Sequence, residues 1–190
     1  MARRTLFNMS DCILKTTIKI GAREGLECLT ARKIAGFCDV TDATVFVYFK
    51  NKQNLLLQAY KYVFDWTNNI IERLIENSLR DNTLTDEKWN VFFGKLVENV
   101  DNAKYFCNYR YSGRCFSDVK PTQRQIDICK NIITKKSLKN NLTANDYTVI
   151  WGNIMESVAY YAIQVADGRL ANSIQKYELI RELLFSGYRE

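Results

Sequence analysis

Apolar positions recur at three- and four-residue intervals along nearly the whole chain, the period of an amphipathic helix. Over residues 11–24 the stripe is Ile13, Leu14, Thr17, Ile18 and Ala22, with Lys15, Lys19 and Arg23 off it and Gly25 as the stop. Leu29, Ile34, Ala35 and Cys38 predict a short second helix capped by Thr30. From Asn51, a capping residue, a long helix is predicted through Leu55, Leu56, Ala59, Val63, Trp66, Ile70 and Leu74, followed by a polar connection over 77–84. Thr85 with Asp86 and Glu87 opens the next, since acids in a first turn complement the helix dipole; it carries Trp89, Phe92, Phe93, Leu96, Val97 and Val100. A short aromatic and basic helix follows within 105–116, ending near Gly113, and Pro121 opens another bearing Ile126, Cys129, Ile132 and Ile133. Thr143 and Asp146 make a capping box ahead of a long helix over 144–166. Asp167-Gly168 breaks it, and a last helix is predicted from about Leu170 to Tyr188.

One stretch departs from this rhythm. Residues 40–49, V-T-D-A-T-V-F-V-Y-F, have the β-branched and aromatic composition of a strand. Their flanks are helical, however, and tertiary packing readily overrides strand propensity. Wound as a helix, the stretch turns Val45 and Phe49 inward, with Tyr48 partly beside them, and Thr41, Asp42, Thr44 and Val47 outward. Ala35 is small enough to let a second helix approach, Asp39 tolerates a left-handed turn, and Thr41 can cap. The reading is a helix-turn-helix over 31–48. The fold class is all-α with about nine helices. A three-helix domain occupies 1–50 and a larger helical domain 51–190.

Composition supports this, because 8 glycines and 1 proline leave few helix breakers. The net charge of +6 is concentrated at the front: ten cations stand against five anions through residue 61, and the rest nearly balances. A basic front end on a neutral body points to a polyanion partner, with a merely solvated basic surface as the alternative. On a DNA major groove, Thr44 and Asp42 can hydrogen-bond base edges, aspartate accepting from cytosine N4, while Val47 can meet a thymine methyl. Thr30, Arg32, Lys50, Lys52 and Tyr48 would hold phosphates. The 6 cysteines form no C-x-x-C pair and there are 0 histidines, so no metal site and no cofactor is expected. The thiols read as small core residues, with redox sensing as the alternative and Cys115, after Arg114, its candidate. Neither a signal-peptide pattern nor a long apolar run is present, and the expected setting is cytoplasmic, away from membranes. The lack of histidine and of a phosphate-binding glycine loop argues against an enzyme.

Residues 13–55 resemble the DNA-binding domain of the TetR family of transcriptional regulators. The matching features are I-L at 13–14, Gly25, T-A-R-K-I-A at 30–35, T-D-A-T-V-F-V-Y-F at 41–49 and K-Q-N-L at 52–55. Asp39 replaces a usual turn glycine, Ala43 a frequent glycine, and Asp42 a position often basic. Phe46 and Val47 stand where the family commonly has tyrosines that reach DNA. More weight therefore falls on Arg3, Arg4, Arg32 and Lys52, and an unusual operator preference is expected. The resemblance implies a homodimer on double-stranded DNA, a repressor released from a pseudo-palindromic operator by an unknown small-molecule effector. It implies pairing through the last two helices, where Ile150, Ile154, Val158, Tyr161, Ile174, Tyr177, Leu184 and Tyr188 are the candidate positions; a monomer core is the alternative. It also implies a ligand pocket near Trp66, Phe93, Leu96, Tyr105, Phe106, Tyr109, Trp151 and Met155, with Arg110 or Arg114 to meet an anionic group. A second functional reading is a DNA-tethered interaction protein that recruits a protein partner through its C-terminal domain.

Overall fold

A computed structural model describes residues 6–76, 85–114, 122–133 and 141–188. Among them are nine α-helices, and the fold is all-α. They are α1 (Leu6–Glu24), α2 (Ala31–Cys38), α3 (Asp42–Phe49), α4 (Lys52–Glu76), α5 (Asp86–Glu98), α6 (Val100–Arg110), α7 (Gln123–Ile132), α8 (Ala144–Ala166) and α9 (Ile174–Phe185). A 3₁₀ turn over Ser186–Tyr188 follows. The strand-like stretch is helix α3.

Local chemistry sets most of the boundaries. The hydroxyls of Thr30, Thr41, Thr85, Thr122, Thr143 and Ser173 each accept a backbone N–H at a helix start. Asn51 Oδ1 does the same for α4, accepting from Asn54 N–H at 2.8 Å. Gly25, at φ 89°, ends the approach to α2 in a conformation that suits glycine. Some boundaries moved from the sequence expectation. The first helix begins at Leu6 rather than 11, because nothing between 6 and 10 breaks it. Val100 opens α6 instead of closing α5, since Asn99 leaves helical geometry at φ −111°, ψ 44°. The last helix starts at Ile174: Gly168 (φ 75°) and the bonds of Arg169 and Leu170 N–H to Gln164 O hold the intervening residues in a cap. Pro121 and the 77–84 connection lie outside the described residues.

The chain divides into two compact units, Met1–Asp65 with Asp101–Phe116, and Trp66–Val100 with Ser117–Glu190. Helix α4 contributes to both. In the first, α1 packs on α2 and α2 on α3. Ile13, Thr17, Ile18, Leu29, Ile34, Ala35, Val45 and Phe49 are buried there, and Tyr60 stacks on Phe106 and Tyr109 with ring centroids 5.3 and 4.6 Å apart. Gly21 admits the Tyr105 ring, which a β-carbon would meet at 2.6 Å. The Tyr105 hydroxyl donates to Leu56 O at 3.0 Å, Asn108 Nδ2 to Gly21 O at 3.0 Å, and Arg23 pairs with Asp101 at 2.9 Å.

In the second unit α8 packs on α5, α7 and α9, and α9 also on α5. Trp89 is its aromatic centre. The ring lies against Phe92, Phe93 and Phe185, and Nε1 donates to Tyr177 O at 2.7 Å. Trp151 Nε1 donates to the buried Asn68 Oδ1 at 3.1 Å, so both tryptophan N–H groups are satisfied inside the protein.

Candidate nucleic-acid interface

Helix α2 starts from Thr30, whose backbone is extended and whose hydroxyl accepts the Lys33 N–H at 3.2 Å. It ends at Asp39, at φ 56° and ψ 49°, whose own N–H and that of Val40 both bond Ala35 O. Aspartate adopts the left-handed conformation more readily than most side chains, so glycine's usual place here is filled at modest cost. Ala35 and Val45 are both fully buried where the two helices meet. Thr41 then caps α3 by accepting Thr44 N–H, and its hydroxyl lies 2.9 Å from the Thr44 hydroxyl. The two threonines orient each other.

With Val45 and Phe49 anchored inward, α3 turns Asp42, Ala43, Phe46 and Val47 to solvent, and Thr44 and Tyr48 are half-buried at its margins. Val47 is 80% exposed and Phe46 39%. Phe37 on α2, 68% exposed, adds an apolar group to this unit's surface that the sequence reading missed. Its signal was an aromatic placed off the Ile34–Ala35–Cys38 stripe. The chain leaves α3 through Lys50, at φ 63° and ψ −51°, with Asn51 N–H bonding Phe49 O at 2.7 Å. That is a γ-turn on a residue with a side chain.

The cations around this face divide by partner. Lys33 is paired with Glu24. Lys52 Nζ donates to Glu27 O at 3.4 Å, while the Glu27 carboxylate holds Arg114 at 2.9 Å. The Arg114 guanidinium keeps the Glu27 carboxyl below the usual carboxylate range. Arg32 and Lys50 are exposed, as are Thr30 and Thr41. Arg3, Arg4 and Cys115 lie outside the described residues.

The candidate pocket residues do not gather in one place. Tyr105, Phe106 and Tyr109 are sealed in the first unit's core around Tyr60, and Arg110 lies over the Phe106 ring at 5.8 Å. Burial of the Tyr105 phenol pushes its pKa up. In the second unit Phe93 and Leu96 are core, and Trp151 and Met155 border an apolar void of about 10 Å³ with Ile71, Trp89, Phe92 and Phe185. Such a void holds about one water at most. Trp66 lines a separate, open cleft of about 510 Å³ with Asn69, Ile70, Arg73, Leu74, Lys95, Glu98 and Asn99.

The candidate dimer positions divide likewise. Ile154, Val158 and Tyr177 are buried within the protomer's own core, Ile150, Tyr161, Leu184 and Tyr188 are half-buried, and Ile174 is exposed. Val149 and Tyr160 on α8 and Leu179 and Leu183 on α9 are the further apolar groups these helices expose.

Two short helices joined by a left-handed turn, the second anchored by one edge and open along the other, define a helix-turn-helix protein. Residues 13–59 match the sequence model of the bacterial regulatory proteins of the tetR family. An uncharacterized HTH-type transcriptional regulator of Haemophilus influenzae is 28% identical over 133 residues, 68% of this chain and 64% of that protein. The HTH-type regulator YerO of Bacillus subtilis is 31% identical over 65 residues, 34% of this chain. The aligned parts thus span 64% and 22% of these two relatives' own lengths. Among solved structures, a TetR family transcription regulator from Marinobacter aquaeolei superposes with a TM-score of 0.71 at 16% identity, covering 97% of each chain. FadR from Bacillus subtilis, solved in complex with stearoyl-CoA, gives 0.64 at 20% identity over 93% of this chain and 98% of that one. The family is one of regulators rather than enzymes. Among the described residues no group of His, Cys, Asp and Glu could hold a metal ion, and no helix is long and apolar enough to cross a membrane.

Proposed function

We propose that the chain is a ligand-responsive, homodimeric transcriptional regulator, a repressor that leaves a pseudo-palindromic operator when a small molecule binds. The observation that carries this is α3 itself: Asp42, Phe46 and Val47 exposed, with Thr44 beside them, on a helix whose angle is set by the Asp39 turn. Thr44 and Asp42 would read base edges and Val47 a thymine methyl, while Arg32, Lys50, Thr30 and Tyr48 would position the backbone. Residues 1–50 would form the reading domain and 51–190 the dimerisation and effector domain. Val149, Tyr160, Leu179 and Leu183, with Ile150 and Ile174, would face the partner across a twofold axis, putting two α3 helices into successive major grooves about 34–36 Å apart.

The effector would dock in the cleft beside Trp66. Its Trp66, Ile70 and Leu74 wall next to Arg73 and Lys95 favours an apolar chain carrying an anionic group. The stearoyl-CoA of the Bacillus FadR structure is a molecule of that broad kind. Because α4 carries residues of both units, effector binding that favours one α4 position would shift the dimer between states of different DNA affinity. A gel-shift titration against genomic fragments at several salt concentrations tests the reading. Retained preference for one pseudo-palindrome at high salt is expected, and binding that weakens with salt equally for every sequence would overturn it.

A further inference from the structure

Cys12 on α1 and Cys38, the last residue of α2, are 26 positions apart in sequence, yet Cys12 Sγ donates to Cys38 Sγ across 2.9 Å. Both are thiols, Cys38 fully buried and Cys12 half-buried, so Cys12 is the member of the pair nearer solvent. The Thr16 hydroxyl, one turn along α1 from Cys12, lies 3.5 Å from the same Cys38 Sγ. The remaining described cysteines are placed differently. Burial pushes the Cys129 thiol up to about 12, which keeps it protonated and unreactive, while Cys107 is half-buried on α6 and Cys28 is exposed on the surface.

We propose that Cys12 and Cys38 are a redox-active dithiol in the reading head, oxidised to an intramolecular disulfide that weakens DNA binding. The oxidant is a hydroperoxide. The Cys12 thiolate attacks one peroxide oxygen, forming a sulfenic acid and releasing hydroxide, which takes up the proton the thiol lost. The Cys38 sulfur then displaces the sulfenic oxygen, which leaves as water with the Cys38 proton. Two thiols and one H₂O₂ give one disulfide and two waters, and the two electrons go from sulfur to peroxide. A thiol reductant reverses the step by exchange.

The effect on DNA follows from where Cys38 stands. Bonded sulfurs are about 2.05 Å apart, so both must draw in from 2.9 Å and rotate to the disulfide torsion, drawing Cys38 closer to α1. Cys38 adjoins Asp39, the turn that sets α3 against α2. A close-packed interior transmits such a displacement rather than absorbing it, so α3 shifts relative to Thr30 and Arg32 on the first helix of the pair. This half of the inference rests on the regulator reading above, whereas the disulfide itself does not.

The experiment uses the full chain. Reduced protein is treated with hydrogen peroxide and digested without reductant. A Cys12–Cys38 cross-linked peptide, 2 Da lighter than the two reduced peptides, is expected before any other disulfide. In gel shifts the oxidised protein should bind its preferred fragment at least tenfold more weakly, dithiothreitol should restore it, and Cys12→Ser should be peroxide-insensitive while Cys28→Ser is not. Cross-links at other cysteines, or a Cys12–Cys38 disulfide with unchanged DNA affinity, would overturn the proposal. If the reduced protein has no preferred fragment, the regulator reading fails, and the dithiol is then judged on the mapped cross-link alone.

Discussion

The two compact units leave different kinds of apolar surface outside. The first exposes Phe37 and the neighbours Phe46 and Val47 on the two helices flanking its left-handed turn, and Tyr111 just after α6. The second exposes apolar side chains in rows. Val149 and Tyr160 lie three turns apart on α8, and Leu179 and Leu183 one turn apart on α9. A lone methyl-bearing group suits a major groove, where thymine methyls are scattered among polar base edges. A row suits another apolar row, because burial is favourable in proportion to the area removed from water. On the proposed function, what is left outside after folding separates a reading surface from a pairing surface, where helical period alone does not.

The largest effect should come from breaking the rows. With Leu179→Glu and Leu183→Glu together, sedimentation equilibrium should find a monomer, and affinity for a preferred DNA fragment should fall more than hundredfold. Both side chains are exposed, so helix content by circular dichroism should stay unchanged. A surviving dimer would remove these positions from the interface. On the other surface the expectation inverts. Thr44→Ala and Val47→Ala should leave the dimer and its thermal midpoint intact and cost about 1–3 kcal/mol of discrimination at one or two base pairs. Binding to a set of single-base operator variants reads this directly; uniform loss over every position would instead mean that α3 only contacts phosphates.

Much of the first surface was legible in the residues because its determinants are local. Thr30, Thr41 and Asn51 cap with their own side chains, and Asp39 takes the turn within a few residues of the groups it bonds. The second surface was not. Helix α8 is apolar on several sides, and its period fits Ile154 and Val158 to a partner as well as to the core that buries them. Tyr105, Phe106 and Tyr109 likewise looked like pocket walls. What encloses them is the packing of α6 against Gly21 and Tyr60, a relation between residues far apart in sequence. The Cys12–Cys38 contact was hidden for the same reason: nothing local to either cysteine announces the other.

A smaller effect tests how tightly the proposed reading surface is held. Lys50 adopts φ 63° in a γ-turn, a conformation that strains any residue with a β-carbon and that glycine takes freely. Lys50→Gly should therefore raise stability by up to about 1 kcal/mol in urea titrations, against glycine's larger unfolded-state entropy. It should also weaken DNA binding modestly through the lost cation. A destabilised variant would show that the turn is not strained.

The smallest expected effect separates two caps that look alike. Helices α7 and α8 both start with a capping box, Thr122 with Gln125 and Thr143 with Asp146. Only the second can titrate. The Thr143 hydroxyl, then its backbone N–H, donate to the Asp146 carboxylate at 2.7 Å and hold its pKa below the ordinary aspartate value. A carboxyl depressed in the folded state binds protons more readily in the unfolded chain, so its contribution is complete above the unfolded value, about pH 4. It is lost as pH falls from there through the lower folded value. Urea midpoints between pH 5 and pH 3 should therefore fall less steeply for Asp146→Asn than for the parent, with the two converging at the acid end. The Gln125 box, having no charge to lose, should persist through the same range, so amide exchange at the start of α7 should change less than at the start of α8. Equal acid sensitivity at both helix starts would mean that the α8 cap is governed by global unfolding and not by this carboxylate.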